Sequence, residues 1–203
     1  MRLAFRRSAF ALSCAVFLAV GAVPARAEPI PMPNTDYSAK AKMVGGMTMT
    51  SRHSQGKMRM DMNAPGVPLP MTAYIDLKTR KIITVMSVPG MSDMAVEANL
   101  GEEETPGVAV GEGRRVGSAT VAGEACDLWQ IEGKSKMEKS ANAVVCISRD
   151  SIPLQLQATI DGKRETIFEV TEITRGPQDI KALTPPANLK PMEIPKGLIP
   201  SRK

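Results

Sequence analysis

Lys57-Met58-Arg59-Met60-Asp61-Met62 alternates charged and apolar side chains without a break, and the stretch before it, Ala39 to Arg52, keeps nearly the same period. A period of two sends successive side chains to opposite faces of an extended chain. Ala39, Ala41, Met43, Gly45, Met47 and Met49 then share one face with Met58, Met60 and Met62. Lys40, Lys42, Thr48, Thr50, Arg52, Lys57, Arg59 and Asp61 take the other. Ser54-Gln55-Gly56 between the runs is a turn signal. The two runs read as a half-buried hairpin, and they make the fold class mainly β.

Outward from this hairpin the same logic continues. Asn63–Pro70 holds three prolines and a glycine and reads as a loop. Met71–Leu77 and Lys81–Val88 read as strands joined across Lys78-Thr79-Arg80; the near-continuous run Ile82, Ile83, Val85, Met86 suggests a sheet covered on both faces. After Pro89-Gly90, the residues Met91, Met94, Ala95 and Ala98 fall at helical spacing. With Ser92 as N-cap and Gly101 as stop, they predict one short amphipathic helix. Glu102–Gly113 is an exposed acidic connection. Further strands are predicted over Arg115–Val121, Ala125–Ile131, Asn142–Arg149, Pro153–Ile160 and Arg164–Thr174, with Asp161-Gly162 as a hairpin turn. The chain divides into a single β-rich domain over residues 38–184, a proline-rich leader over 28–37 and a proline-rich tail over 185–203 that wraps the surface or dangles.

The 203 residues carry 26 Lys and Arg against 21 Asp and Glu. Residues 1–27 hold four arginines and no acid, so 22 basic side chains face 21 acidic ones in the remainder. That near-neutral balance argues against a nucleic-acid binder, which usually keeps a basic patch or stripe in its folded part. Residues 1–27 read as a secretory signal peptide: a basic start, the apolar run Ala9–Val23, and Ala25-Arg26-Ala27 before the cut. Cleavage after Ala27 and a periplasmic location are expected. Nothing after residue 27 approaches the ~20 apolar residues of a membrane-spanning helix.

Export leaves two cysteines, Cys126 and Cys146, in a compartment where thiols oxidise, so a structural disulfide is expected. In an antiparallel pair with Cys126 opposite Cys146, Leu128 would face Val144. Gly111-Glu112-Gly113 lacks the spacing of a dinucleotide loop, and there is no Walker loop, zinc-binding histidine pair or nucleophile elbow. His53, the one histidine, is expected at the exposed tip of the hairpin. No catalytic residue or cofactor is assigned, and a non-enzymatic role is expected.

Methionine is the unusual feature: 14 in all, ten of them between Met43 and Met94. Flexible thioethers fill gaps in a core, line a cavity for variable apolar guests, or hold a soft metal such as Cu(I). A copper site would use Met47, Met49, His53, Met58, Met60 and Met62. The alternation makes these methionines the apolar face that any core needs, and a single histidine is sparse for copper. Apolar lining, as core or cavity, is therefore favoured.

Val121-Ala122-Gly123-Glu124-Ala125-Cys126-Asp127-Leu128-Trp129 and Val145-Cys146-Ile147-Ser148-Arg149-Asp150-Ser151-Ile152-Pro153-Leu154 resemble a group of exported bacterial proteins known as a domain of unknown function. Its members show a Gly-x-x-Cys-x-x-Trp segment and a cysteine strand entering an Asp-Gly-x-Pro-Leu-like turn, where Ser151 stands here for the glycine. The group is similar in turn to the periplasmic lipoprotein-carrier (LolA-like) superfamily. That resemblance implies a curved antiparallel sheet or open half-barrel around an apolar cavity, with one or two short helices. The expected function is then binding of an apolar small molecule or lipid acyl chain. Met47, Met49, Met58, Met60 and Met62 would line the site, Met91 and Met94 would sit on the lid, and Trp129 would serve as core or rim. Copper binding through the hairpin, or an envelope protein partner recognised at a sheet edge, are the alternatives.

Overall fold

A computed structural model describes residues 27–66, 70–87, 90, 92–100, 111–132, 143–160 and 162–193. Most of the signal-peptide segment, Met91, Asp161, the acidic connection over 101–110 and residues 194–203 lie outside them. The strands are β1 (Glu28–Pro29), β2 (Tyr37–Met43), β3 (Thr48–Ser54), β4 (Lys57–Asn63), β5 (Met71–Asp76), β6 (Lys81–Met86) and β7 (Met94–Asn99). They continue with β8 (Glu112–Val121), β9 (Glu124–Glu132), β10 (Val144–Ser148), β11 (Pro153–Ile160), β12 (Lys163–Arg175) and β13 (Met192–Glu193). All belong to one sheet, in the order β1-β8-β9-β10-β11-β12-β2-β3-β4-β5-β6-β7-β13. Among the described residues, only β7 and β13 pair in parallel. The ends do not meet, so the sheet is curved and open rather than a closed barrel.

Two consecutive hairpin meanders, β2–β7 and β8–β12, are joined in the middle of this sheet by the pairing of β12 with β2. The fold is thus mainly β. Glycine chemistry corrects the opening expectation in one respect. Gly45 and Gly46 adopt φ of 73° and 75°, a left-handed pair that most side chains resist. They turn Val44–Gly46 into a tight 3-10 bend, and the run read as one strand from Lys40 to Arg52 becomes the two strands β2 and β3.

The helix expected over Met91–Ala98 is also corrected. Met94–Asn99 is a strand, paired with β6 from Met86↔Met94 to Lys81↔Asn99. Apolar spacing over so few residues fits both periods, and the open backbone edge of β6 decides for the strand. Met94, Val96 and Ala98 then take one face and Ala95 the other. The cysteine register shifts too: Cys146 lies opposite Leu128, and Cys126 opposite Ser148. The two cysteines are diagonal neighbours on β9 and β10, at disulfide distance with Cα atoms 5.5 Å apart.

One face of the sheet curves around the main core, to which Tyr37, Met49, Met58, Met60, Ile75, Cys146, Leu154 and Phe168 contribute from both meanders. The convex face carries two smaller clusters, each roofed by a terminal segment. Ile30, just after β1, covers Trp129, Val145 and Ile147. Leu189, just before β13, covers Tyr74, Val85 and Ala95. The proline-rich C-terminal segment is therefore a strap across the convex face as far as residue 193. Leu183 is 2% exposed within it, and the Ala182 carbonyl accepts a hydrogen bond from Arg59 Nη1.

Two stability changes follow. Ala122 sits at φ 51° before Gly123 in the β8–β9 turn, an exposed position that suits asparagine. Ala122→Asn is expected to stabilise by ~0.5–1 kcal/mol and Ala122→Val to destabilise, read as opposite Tm shifts of a few degrees. Replacing both Cys126 and Cys146 by serine releases a loop with a sequence separation of 20. The expected cost in urea titration is about 3 kcal/mol, matching wild type under reductant.

Candidate functional site

Register through five successive strands builds the site. Met49 on β3 lies opposite Met62 on β4. Met62 lies opposite Met71 on β5, Met71 opposite Met86 on β6, and Met86 opposite Met94 on β7. Residues directly opposed across a ladder share a face, with Cβ atoms ~4.5–5.5 Å apart. Five thioethers thus form one unbroken row at one end of the concave face. Met43 and Met47 flank the bend next to it.

The row is graded. Met49 is 3% exposed, Met62, Met71 and Met86 are half-buried, and Met94 is 40% exposed. One and two residue pairs further along the strands, Met60 and Met58 are fully enclosed in the core. The methionines proposed from the sequence as one lining therefore separate into two groups. Met58 and Met60 are filled interior, whereas Met47, Met62 and Met94 lie where solvent reaches. Met71 and Met86 are members that sequence reasoning missed. Their parity with inward Ala73, Ile75 and Ile82 was the available signal.

His53 corrects an expectation. It is 2% exposed, not at a solvated tip, because the turn proper is Gln55-Gly56 and position 53 shares the inward parity of Met49 and Ser51. Its ring stacks on Tyr37 with centroids 5.6 Å apart. The Thr35 carbonyl lies 2.7 Å from Nδ1, which donates to it. Nε2 is buried with no hydrogen-bond partner among the described residues. His53 lies opposite Met58, four residues along β3 from Met49, or about 13 Å at strand rise. The hairpin residues suggested as a copper set are thus divided between two places. Burial pushes the Tyr37 hydroxyl well above its ordinary range, so it stays a neutral phenol.

The end of the sheet away from the methionine row is held by ions. Arg175, at the end of β12, donates through Nε to Asp150 at 2.7 Å and through Nη1 to Glu124 at 2.9 Å. This fork ties the β10–β11 turn to the β8–β9 turn. Both carboxylates are held below the usual range, chiefly by these hydrogen bonds. Ser151, in the same turn, adopts φ 67°, a left-handed conformation that favours glycine. Trp129 is 2% exposed beneath the Arg115 guanidinium, 4.9 Å from its ring centroid; it faces away from the methionine row. On the convex face, Arg59, Tyr74, Lys181, Thr184, Pro185 and Pro186 border a groove of about 430 Å³ beneath the strap. Its guanidinium is already engaged, since Arg59 Nε and Nη2 donate to Asp61.

Among the described residues, no three His, Cys, Asp or Glu side chains gather as a site for a harder metal, and no helix is long and apolar enough to cross a membrane.

Because Asp150 and Glu124 titrate lower when folded, their contribution is complete above the unfolded carboxylate range near pH ~4 and is lost as pH falls through the depressed values. Arg175→Met is expected to lower the urea midpoint at pH 7 and to flatten its decline on acidification. An unchanged acid slope would show that the fork is not what titrates.

Comparison with known proteins places the fold alone. No family model matches the sequence, and no curated protein matches it. Among solved structures, PNGF-II in its P21 crystal form is similar at a TM-score of 0.51 and 11% identity, over 79% of this chain and 32% of that one. A second crystal form of PNGF-II gives 0.49 at 11% identity, over 79% and 31%. MucB in complex with MucA(peri) gives 0.42 at 16% identity, over 76% of this chain and 56% of that one. The chain spans about a third of the length of PNGF-II.

Proposed function

We propose that this chain is a non-enzymatic, exported envelope protein that holds a lipid acyl chain or another apolar ligand against the open end of its concave face. The observation that carries the reading is the exposure gradient along Met49, Met62, Met71, Met86 and Met94. An uncharged row that passes from sealed core to solvent offers apolar area that a guest can cover. Each methylene so buried is worth about 0.8 kcal/mol. Flexible thioethers repack around guests of different shape, which suits chains of varying length. The contact residues in this reading are Met47, Met62, Met71, Met86 and Met94, with Met58 and Met60 as their rigid backing.

The signal-peptide pattern of residues 1–27, and the resemblance of the cysteine segments to a group of exported proteins that is similar in turn to the lipoprotein carriers, support the same location and class. The test is native mass spectrometry of protein purified from a periplasmic extract without detergent. Heterogeneous added masses matching acyl lipids are expected, together with displacement of a fluorescent fatty acid. Met71→Gln with Met86→Gln should weaken that binding at least tenfold while the fold survives. A clean apo mass and no displacement in wild type would overturn the reading.

A further inference from the structure

The methionine row has a chemistry that apolar lining does not require. At half-exposed positions there is little gap to fill, and leucine would supply comparable apolar area with stiffer rotamers. Yet five consecutive strands each place a methionine at the same level, with no other residue type between them. Beyond flexibility, what five thioethers add over five leucines is five soft, uncharged electron-pair donors. Thioethers select monovalent soft cations, whereas hard divalent ions want the carboxylates that this row lacks.

We propose that Met62, Met71 and Met86 form a binding site for a soft monovalent cation of the Cu(I) class, with Met49 and Met94 as flanking donors. The three central residues lie on adjacent strands and are directly opposed in pairs. Met62 and Met86 flank Met71 on neighbouring strands ~4.8 Å to either side at one level, a spacing that long flexible thioethers can span toward a shared point above Met71. All three are half-buried, so an ion can enter without opening the core. His53, whose Nε2 is orphaned, lies four residues along β3 from Met49, about 13 Å at strand rise, and belongs to a different level of the core. Ion binding here does not depend on lipid binding, although both use the same row.

The experiment is anaerobic Cu(I) titration of the mature, disulfide-intact protein against a chromophoric Cu(I) chelator, with Ag(I) adducts counted by native mass spectrometry. One ion per chain is expected. Met62→Leu, Met71→Leu and Met86→Leu combined should raise the Cu(I) dissociation constant at least tenfold. Leucine conserves volume, so the far-ultraviolet spectrum should remain. The pair Met62→Leu with Met86→Leu provides a milder variant should the triple one fail to fold. Absence of a bound ion in wild type overturns the site. So does undiminished binding in both leucine variants, or a loss seen instead in His53→Gln, which would place the ion in the core. Fatty-acid displacement is read separately on the wild-type protein, so failure of the metal site and failure of the lipid reading are distinguishable.

Discussion

Everything in this molecule hangs on the pairing of β2 with β12. Each meander can form from its own hairpins, but neither has a second layer to cover its apolar face. Joining them between Tyr37–Met43 and Phe168–Arg175 makes one sheet wide enough to bend over its own side chains. Val170 meets Ala41 and Phe168 meets Met43 at the seam, so the core of one half becomes continuous with that of the other. The outer side of the seam carries the exposed Lys40–Glu172 pair, which contributes little by itself, and a hydrogen bond from Thr171 Oγ1 to the Lys40 carbonyl at 3.3 Å. Hydrophobic closure along the inner side is what holds the two halves together. The seam closes a loop of over a hundred residues, a topology of high contact order that folds slowly.

Bending the sheet leaves two problems, and the terminal segments meet both. An open sheet has two edges with unpaired backbone groups, here on β8 and β7. Glu28–Pro29 pairs with the first and Met192–Glu193 with the second. A proline beside each short strand limits further growth. The same segments carry Ile30 and Leu189 over the convex apolar clusters, so a few residues at each end both cap an edge and roof a face. Both roofs lie on the convex face, on the side of the sheet opposite the methionine row.

Much of this was legible in the sequence, through parity. The alternation of Lys57–Met62 fixed which side chains face inward, and Gly56 and Gly123 marked turns that do form. What parity could not supply was where a run breaks. Gly45 is tolerated in a strand pattern, and only its left-handed φ, shared with Gly46, reveals the bend. Met94–Asn99 satisfies two periods at once, and its partner strand chose between them. His53 was misplaced by nearness to a turn, although Met49, Ser51 and His53 already shared one parity. The row itself needed pairing across loops. The sequence places Met62, Met71 and Met86 near strand ends, but no local signal says that the intervening loops bring them, with Met94, to one level.

The strap ending in β13 also sets a condition on the integrity of the chain. The pairing that shields β7 comes from residues close to the C-terminus, and it amounts to two residues added in parallel. A nick or early stop before Pro185 would remove this cover together with Leu189, baring the Tyr74 cluster and the backbone border of β7 in one event. Such a fragment would keep its hairpins and its seam, yet present its neighbours with an adhesive template for strand addition.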